Sequence, residues 1–328
     1  MRKMDIVIIT VFSMWLSTGC AGKKIANTGI LDQEAKTMAT NSTLSPDEAI
    51  LEAAGMLNKA NTENLSFFAP LHLTEARSVL NKAQKLAKSG AKPGLVLEKA
   101  FKVKTLINDG LKTKEMVKTT LSKVLDHKQV LDDLDVQGEF PEKYEKSVSK
   151  IRELVLEVEA GNFSAAVDGQ SKVLVYMSEV EIAIMKKRYL SSAQAMMEKA
   201  KDIDADDYAE VTYKGAQKQY ETSSHFIERN YRDRKGVKQA GEEALLAAKH
   251  AFFVAKEAKR LVKIGEEEAE QRVLYFESLL DRIGQASGNQ NIIGLSLYDQ
   301  AEALAKHIQA TPKDSVIASV PPALKNDA

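Results

Sequence analysis

The sequence DIDADD carries the clearest arrangement of side chains for metal binding. Asp202, Asp204 and Asp206 occupy the first, third and fifth positions of a calcium-binding loop, where carboxylates supply oxygen ligands to the ion. The later positions do not match, because Asp207 stands where the loop needs glycine and Tyr213 where it needs a bidentate glutamate. The three aspartates are therefore candidate metal ligands in an incomplete loop.

Helix capping explains the same segment without a metal ion. Asp207 is a suitable N-cap residue, and Glu210 stands where a capping box requires its second carboxylate. The neighbouring aspartates would be stabilised near the positive end of the helix. We favour capping, and we predict neither a metal ion nor a cofactor.

The histidines lie too far apart in sequence to form a local metal or catalytic motif. None lies three or four residues from another, and none follows a glutamate by three, so the zinc and di-iron helix motifs are absent from the sequence. No Gly-x-Ser-x-Gly elbow or Gly-rich phosphate loop occurs either. We predict a protein that is not an enzyme. The histidines are His72, His127, His225, His250 and His307.

Two short basic segments combine cations with a tyrosine, a combination that suits phosphate, lipid headgroups or stacked RNA bases. They are MKKRY at 185–189 and RNYRDRK at 229–235. Ordinary surface charge on helices and turns is the favoured explanation. The formal net charge of the chain is zero, which gives no global field for attracting nucleic acid, so we predict no nucleic-acid partner.

The single cysteine, Cys20, follows a short apolar leader. The chain opens with MRKMD, and its strongly apolar run, IVIITVFSMWL, ends at Leu16. A positive start, a short apolar core and small residues at its end are typical of a secretory signal peptide. The run is shorter than the roughly 20 residues that a membrane-spanning helix needs. We therefore predict a signal peptide over residues 1–19, with an uncleaved membrane anchor as the alternative.

The small residues Ser17, Thr18 and Gly19, followed by Cys20, resemble the lipobox of bacterial lipoproteins, although that family prefers leucine where Ser17 stands. The resemblance implies cleavage between Gly19 and Cys20 and attachment of acyl chains such as palmitate to Cys20. Two or three acyl chains hold a protein firmly at a bilayer. In that family, Ala21 after the cysteine implies the outer membrane, facing the periplasm. Ordinary cleavage after Ala21 is the alternative.

Composition and capping signals divide the rest of the chain. Small polar residues without a lasting apolar period indicate a flexible tether before the sequence SPDE. In SPDE, Ser45 can cap a helix, Pro46 suits the first helical position and Glu48 completes a capping box. Helical periodicity then continues up to a proline-containing tail that we expect to be disordered. The predicted segments are a tether at 20–44, a helical body at 45–310 with a candidate sub-boundary at 202–207, and a tail at 311–328.

Apolar residues recur at spacings of three and four, which buries one face of a helix. Two such stripes are Val148, Ile151, Leu154, Val155 and Val158, and Val173, Tyr176, Met177, Val180 and Ile184. Isolated helices are marginal in water, and short turns between helices produce antiparallel pairs. We predict an all-α fold, an elongated bundle of stacked antiparallel helical hairpins with coiled-coil-like packing.

Two parts of the chain are similar enough to suggest an internal duplication. The segment that begins at Phe68 aligns with the one that begins at Tyr208, and the same alignment pairs Leu106 with Leu246. The apolar positions match better than the residues do. An ancient repeat and two unrelated hairpins that follow the same helical rule both explain this pattern.

An anchored leader followed by alanine-rich hairpins, with openings such as Tyr208-Ala209, looks like the helical envelope lipoproteins of unknown function. The likeness extends from Phe67 to Ile264 and brings no catalytic residues. It implies a membrane partner through the lipid anchor and a protein partner in the cell envelope. We predict a periplasmic interaction or scaffold protein. The alternative is a carrier that binds a lipid or small apolar ligand in the bundle, lined by Met196, Met197, Phe252 and Phe253.

Overall fold

The computed structural model describes residues 23–288, 292 and 294–310, and every regular element within them is an α-helix. The predicted all-α fold of packed helices is confirmed. The predicted signal peptide, Cys20 and the tail at 311–328 lie outside the described residues. The helices are α1 (Thr28–Thr40), α2 (Pro46–Thr62), α3 (Leu65–Phe68), α4 (Pro70–Lys88), α5 (Pro93–Thr120), α6 (Ser122–Asp133), α7 (Val136–Glu139), α8 (Pro141–Glu159), α9 (Phe163–Asp202), α10 (Ala205–Tyr208), α11 (Glu210–Asn230), α12 (Arg234–Leu261), α13 (Glu266–Ser287) and α14 (Leu297–Ala310).

The chain forms two compact units. The first comprises the chain up to Ser191 together with Ser224–Ala240, and the second comprises Ser192–Ser223 together with the chain from Gly241 onward. The chain therefore passes between the units inside helices α9, α11 and α12. The divisions fall within these three helices rather than at the sub-boundary expected at 202–207.

The predicted flexible tether is wrong for residues 28–40, which form α1. Leu31 and Ala35 of α1 are buried in the core of the first unit. Lys102 on α5 forms an ion pair with Asp32, with 2.6 Å between Nζ and Oδ1. The segment is polar in composition, but packing of two apolar side chains against α5 fixes it as a helix. Tertiary contacts supply what local helix propensity does not.

Helix starts follow the capping chemistry of the sequence. The backbone N–H of Glu48 donates to Ser45 Oγ at 3.4 Å, and the backbone N–H of Ser45 donates to Glu48 Oε2 at 2.8 Å. This is the capping box predicted from SPDE, with Pro46 at the first helical position. Proline also opens α4, α5 and α8, where its missing N–H costs nothing because the first helical amides have no partner within the helix.

One local motif occurs three times, about 70 residues apart, which is the signature of an internal repeat. Asn64, Asp135 and Asp204 each adopt the left-handed conformation, with φ of 55°, 48° and 62°. Each begins a four-residue helix, and a long helix follows directly. The first residues of the short helices are fully buried, and they are Leu65, Val136 and Ala205. The repetition suggested by the sequence therefore extends to three copies, with hairpins α4–α5, α8–α9 and α11–α12.

The repeat register differs by one residue from the sequence alignment. Leu106 is fully buried whereas Leu246 is exposed, so these two residues are not equivalent. Matching the buried positions of α5 and α12 instead pairs Ile107 with Ala248, both fully buried. Helix α11 has 21 residues against 19 in α4, while the turn that follows it is shorter, and the net effect shifts α12 by one position. In this register Thr105 corresponds to Leu246.

Candidate functional site

An open groove of about 870 Å³ lies between α11 and α12 in the second unit. Leu246, His250 and Phe253 follow one another at helical spacing along α12, and Leu246 and Phe253 are 70% and 56% exposed. Gly215 on α11 has no side chain, and no atom lies within 4 Å of where a Cβ would stand. The α12 side of the groove therefore combines exposed apolar side chains with Glu243, Lys249 and His250, and the groove is open along α11.

In the first repeat, α1 packs on α5 and covers the surface that corresponds to the α12 side of this groove. Thr105 stands on α5 where Leu246 stands on α12, and it is only 3% exposed because α1 covers it. Its hydroxyl donates to the carbonyl oxygen of Lys102 at 3.1 Å and lies 3.5 Å from the carbonyl oxygen of Leu31 on α1. The segment before α1 lies along α4, where Lys24, Ile25 and Thr28 share a hollow with Leu71 and Thr74. The first repeat thus has a helix packed on the surface that the third repeat leaves open.

At one position, the edge of the open groove carries the opposite charge from the matching position of the first repeat, although Lys249 also lines the groove. In the repeat register Glu243 corresponds to Lys102, the residue that pairs with Asp32 of α1. The Nε2 of Gln219 donates to Glu243 Oε2 at 3.2 Å across the groove. A helix docked in the third repeat in the manner of α1 would meet an acidic side chain where α1 meets a basic one.

A buried histidine joins α4, α5 and α8 in the first unit. His72 Nδ1 lies 2.7 Å from Glu159 Oε1, and His72 Nε2 lies 3.0 Å from Asp109 Oδ2. Glu159 also accepts hydrogen bonds from the backbone N–H groups of Leu71 and His72, at 3.0 and 3.1 Å. These amides belong to the first turn of α4, whose N-cap residue Ala69 offers no side-chain acceptor. Glu159 therefore caps α4 from another helix.

A positive charge on the His72 imidazole balances the two carboxylates that flank it. Burial alone would lower the pKa of His72, but hydrogen bonds to Asp109 and Glu159 and their negative charges outweigh it, so the pKa is raised. The hydrogen bond from His72 in turn lowers the pKa of Asp109. When the ring is protonated, it donates to both carboxylates. Since His72 is only 1% exposed, the group holds three helices together rather than presenting a reactive side chain to solvent.

A second buried carboxylate, Glu181 on α9, lies beneath the turn between α11 and α12 in the first unit. His127 Nε2 lies 3.0 Å from Glu181 Oε2, and Arg234 donates through Nη2 to Glu181 Oε1 at 2.9 Å. Arg232 Nε is 3.6 Å from Glu181 Oε2. Burial alone would raise the pKa of Glu181, but the hydrogen bond from His127 and the surrounding positive charges outweigh it and lower the pKa.

The aspartates of DIDADD do not converge on a metal site. Asp204 adopts the left-handed conformation before α10, and its Oδ2 pairs with Lys259 Nζ at 2.6 Å. Asp202 ends α9 and Asp206 lies in α10. Among the described residues no group of three or more His, Cys, Asp or Glu side chains is placed to hold a metal ion. The predicted capping box is also wrong, because Asp207 lies inside α10 rather than at the N-cap.

Of the four residues proposed for a carrier cavity, only Phe253 lines the open groove. Its ring packs edge-on against Phe252 with 5.3 Å between centroids. Met196, Met197 and Phe252 are half-buried. Two of the other histidines have local roles, since His225 Nδ1 lies 3.1 Å from Glu228 and His307 Nε2 lies 2.8 Å from the carbonyl oxygen of Ser287.

Sequence reasoning missed the two buried carboxylates. Their signal is visible only in retrospect: Glu159 directly follows Val158 at the end of one apolar stripe, and Glu181 follows Val180 within the other. An acidic residue on the buried face of a helix requires a partner, because burying an unpaired charge is costly. The partners lie in other repeats, and the sequence gives no spacing that identifies them.

Comparison with protein families, curated proteins and solved structures yields no match. Among the described helices, none combines the length and apolar character needed to cross a membrane.

Proposed function

We propose that this protein is a non-catalytic interaction protein of the bacterial cell envelope, held at the outer membrane by acyl chains on Cys20 and facing the periplasm. The leader and the lipobox-like residues before Cys20 support the anchor. The open α11–α12 groove carries the proposal of an interaction role. The anchor supplies the location, and the groove supplies the binding surface.

The anchor would keep the first unit close to the bilayer. The backbone N–H of Ala26 donates to the carbonyl oxygen of Glu159 at 2.9 Å, so the chain is docked on the body within a few residues of Cys20. Even fully extended, the chain from Cys20 to Ala26 reaches only about 20 Å. The first unit would therefore lie near the lipid headgroups, without the long tether that the sequence suggested.

The groove fits an amphipathic helix of a partner protein. Docking of a helix in an apolar groove uses side chains at spacings of three and four as anchors. Helix α1, which covers the corresponding surface of the first repeat, packs on α5 through a narrow apolar stripe of Leu31 and Ala35. The reversed charge at Glu243 indicates that the partner helix carries a basic residue where α1 carries Asp32.

A peptide with the sequence of residues 23–41 tests the groove directly. We expect the peptide carrying Asp32→Lys to bind the full-length protein about fivefold more tightly than the unaltered peptide, since an exposed ion pair contributes up to about 1 kcal/mol. Fluorescence anisotropy of the labelled peptide measures both affinities. Leu246→Asp in the protein should abolish binding.

Val175→Asp is the matched control, because Val175 lies on α9, in the hairpin of the second repeat, outside the groove lining, and is 60% exposed. It should leave peptide binding unchanged. Equal affinities for the two peptides, or equal loss from the two protein variants, would contradict the groove proposal.

The carrier alternative depends on the same groove, because Leu246 and Phe253 would also contact an acyl chain. Native mass spectrometry separates the two functions. A lipid retained by the wild-type protein and lost from the Leu246→Asp variant would favour the carrier, whereas protein without bound lipid would favour the interaction role.

A further inference from the structure

A second hollow, of about 620 Å³, lies in the first unit where α6, α9 and the turn before α12 meet. The buried pair of His127 and Glu181 forms one side of it. Three cations line it: Lys123 on α6, Arg232 on the turn and Arg234 at the start of α12. Such a concentration of positive charge around a hollow is a feature of anion-binding sites.

The positive charge exceeds what the local acids neutralise. Arg234 is committed to Glu181, at 2.9 Å, and also donates through Nη1 to the carbonyl oxygen of Tyr231 at 3.1 Å. Arg232 is held less tightly, since its Nε is 3.6 Å from Glu181 and its side chain is 64% exposed. The lining contains three cations, Lys123, Arg232 and Arg234, against two carboxylates, Asp126 and Glu181. One cation is therefore in excess.

Neutral donors and an apolar wall complete the hollow. Tyr231 Oη lies 3.2 Å from Ser178 Oγ and donates to it, so this bond does not use the Ser178 hydroxyl hydrogen. Val130 and Leu174 are half-buried in the same lining. A ligand with an anionic head and a short organic part would meet charge and hydroxyl donors at one end and apolar side chains at the other.

We propose that this hollow binds a phosphate ester, with Arg232 and Lys123 contacting the phosphate oxygens and Ser178 donating a hydrogen bond. A guanidinium group matches two phosphate oxygens, and an ammonium group adds a point charge to the third. Val130 and Leu174 contact the ester's organic part. The site is separate from the α11–α12 groove, since all of its residues belong to the first unit.

Titration calorimetry of the full-length protein tests the site with two probes. Glycerol 3-phosphate represents a free phosphate ester, and dihexanoyl phosphatidylglycerol, below its micelle concentration, represents a lipid headgroup. Binding of either probe supports the site, and the tighter probe identifies the source of the ligand. Binding of neither probe overturns the proposal.

Arg232→Gln should weaken the binding of the tighter probe about tenfold, the loss expected for one charge-assisted contact of about 1.4 kcal/mol. Lys123→Gln should also weaken it. The matched control is Lys235→Gln, which removes the same charge three residues away at an exposed position outside the lining. Equal weakening by Lys235→Gln and Arg232→Gln would indicate diffuse attraction and overturn the proposal. Circular dichroism confirms that each variant is folded.

Discussion

Replacing His72 with glutamine should destabilise the first unit strongly, because it removes the charge that compensates a buried carboxylate. Glu159 is fully buried and accepts hydrogen bonds from two backbone amides and from His72. Glutamine retains a polar side chain of similar size but has no positive charge. Removing one partner of a buried ion pair typically costs about 3–5 kcal/mol. The two amide donors remain, so we expect about 3 kcal/mol, at the low end of that range.

The stability lost in the His72→Gln variant should depend on pH in a defined direction. The pKa of His72 is raised in the folded protein, so its contribution is fully present below its unfolded pKa of about 6.5 and disappears as pH rises through the folded value. The pKa of Asp109 is lowered, so its contribution is present above about 3.9 and disappears as pH falls through the folded value. The wild-type advantage over His72→Gln should therefore be greatest from about pH 4 to pH 6.5.

Urea unfolding followed by far-ultraviolet circular dichroism measures the difference at a series of pH values. His225→Gln is the matched control, because His225 forms an exposed ion pair with Glu228 and its loss should change the unfolding midpoint little. Equal effects of the two substitutions, or a wild-type advantage that grows above pH 7, would refute the role assigned to His72.

Three further predictions concern the anchor, the first helix and the repeat motif. Cys20→Ala should move the protein from the membrane to the soluble fraction, and the intact mass should lose the acyl chains; retention in the membrane would argue against lipidation. Leu31→Ala should cost about 2–3 kcal/mol in urea unfolding, because α1 packs in the core, whereas no change would mean that the segment is a tether after all. Asp135→Ala should cost about 1–2 kcal/mol, because alanine tolerates the left-handed conformation poorly, while Asp135→Gly should not destabilise; equal effects would exclude backbone strain as the cause.

The helices could be predicted from the sequence because apolar spacing and capping residues act locally. The stripe from Val148 to Val158 lies within α8, and the capping box at Ser45 begins α2 as predicted. Helix α1 could not be predicted in this way, because its stability comes from contacts of Leu31 and Ala35 with distant helices rather than from its own sequence. A segment rich in small polar residues has a composition that fits both a flexible tether and a docked helix.

The candidate sites could not be predicted from the sequence, because their side chains contact partners that are far away along the chain. His72 meets Glu159, and His127 meets Glu181, across separations of 87 and 54 residues. The correspondence between the groove and the surface covered by α1 depends on the repeat register. The sequence alignment matched Leu246 to the buried Leu106 rather than to Thr105. A one-residue shift on a helix turns a side chain by about 100°, which is enough to move it from the core to the surface.

The central proposal is that the α11–α12 groove binds a helix of an envelope partner, and cross-linking in cells tests it most directly. A photoreactive amino acid placed at position 246, with position 175 as the control, reports what lies on each surface. We predict that position 246 cross-links to one envelope protein, within an amphipathic helix that places a basic residue near Glu243, and that position 175 does not. Cross-links from position 246 only to lipid, or the same products from both positions, would contradict the account.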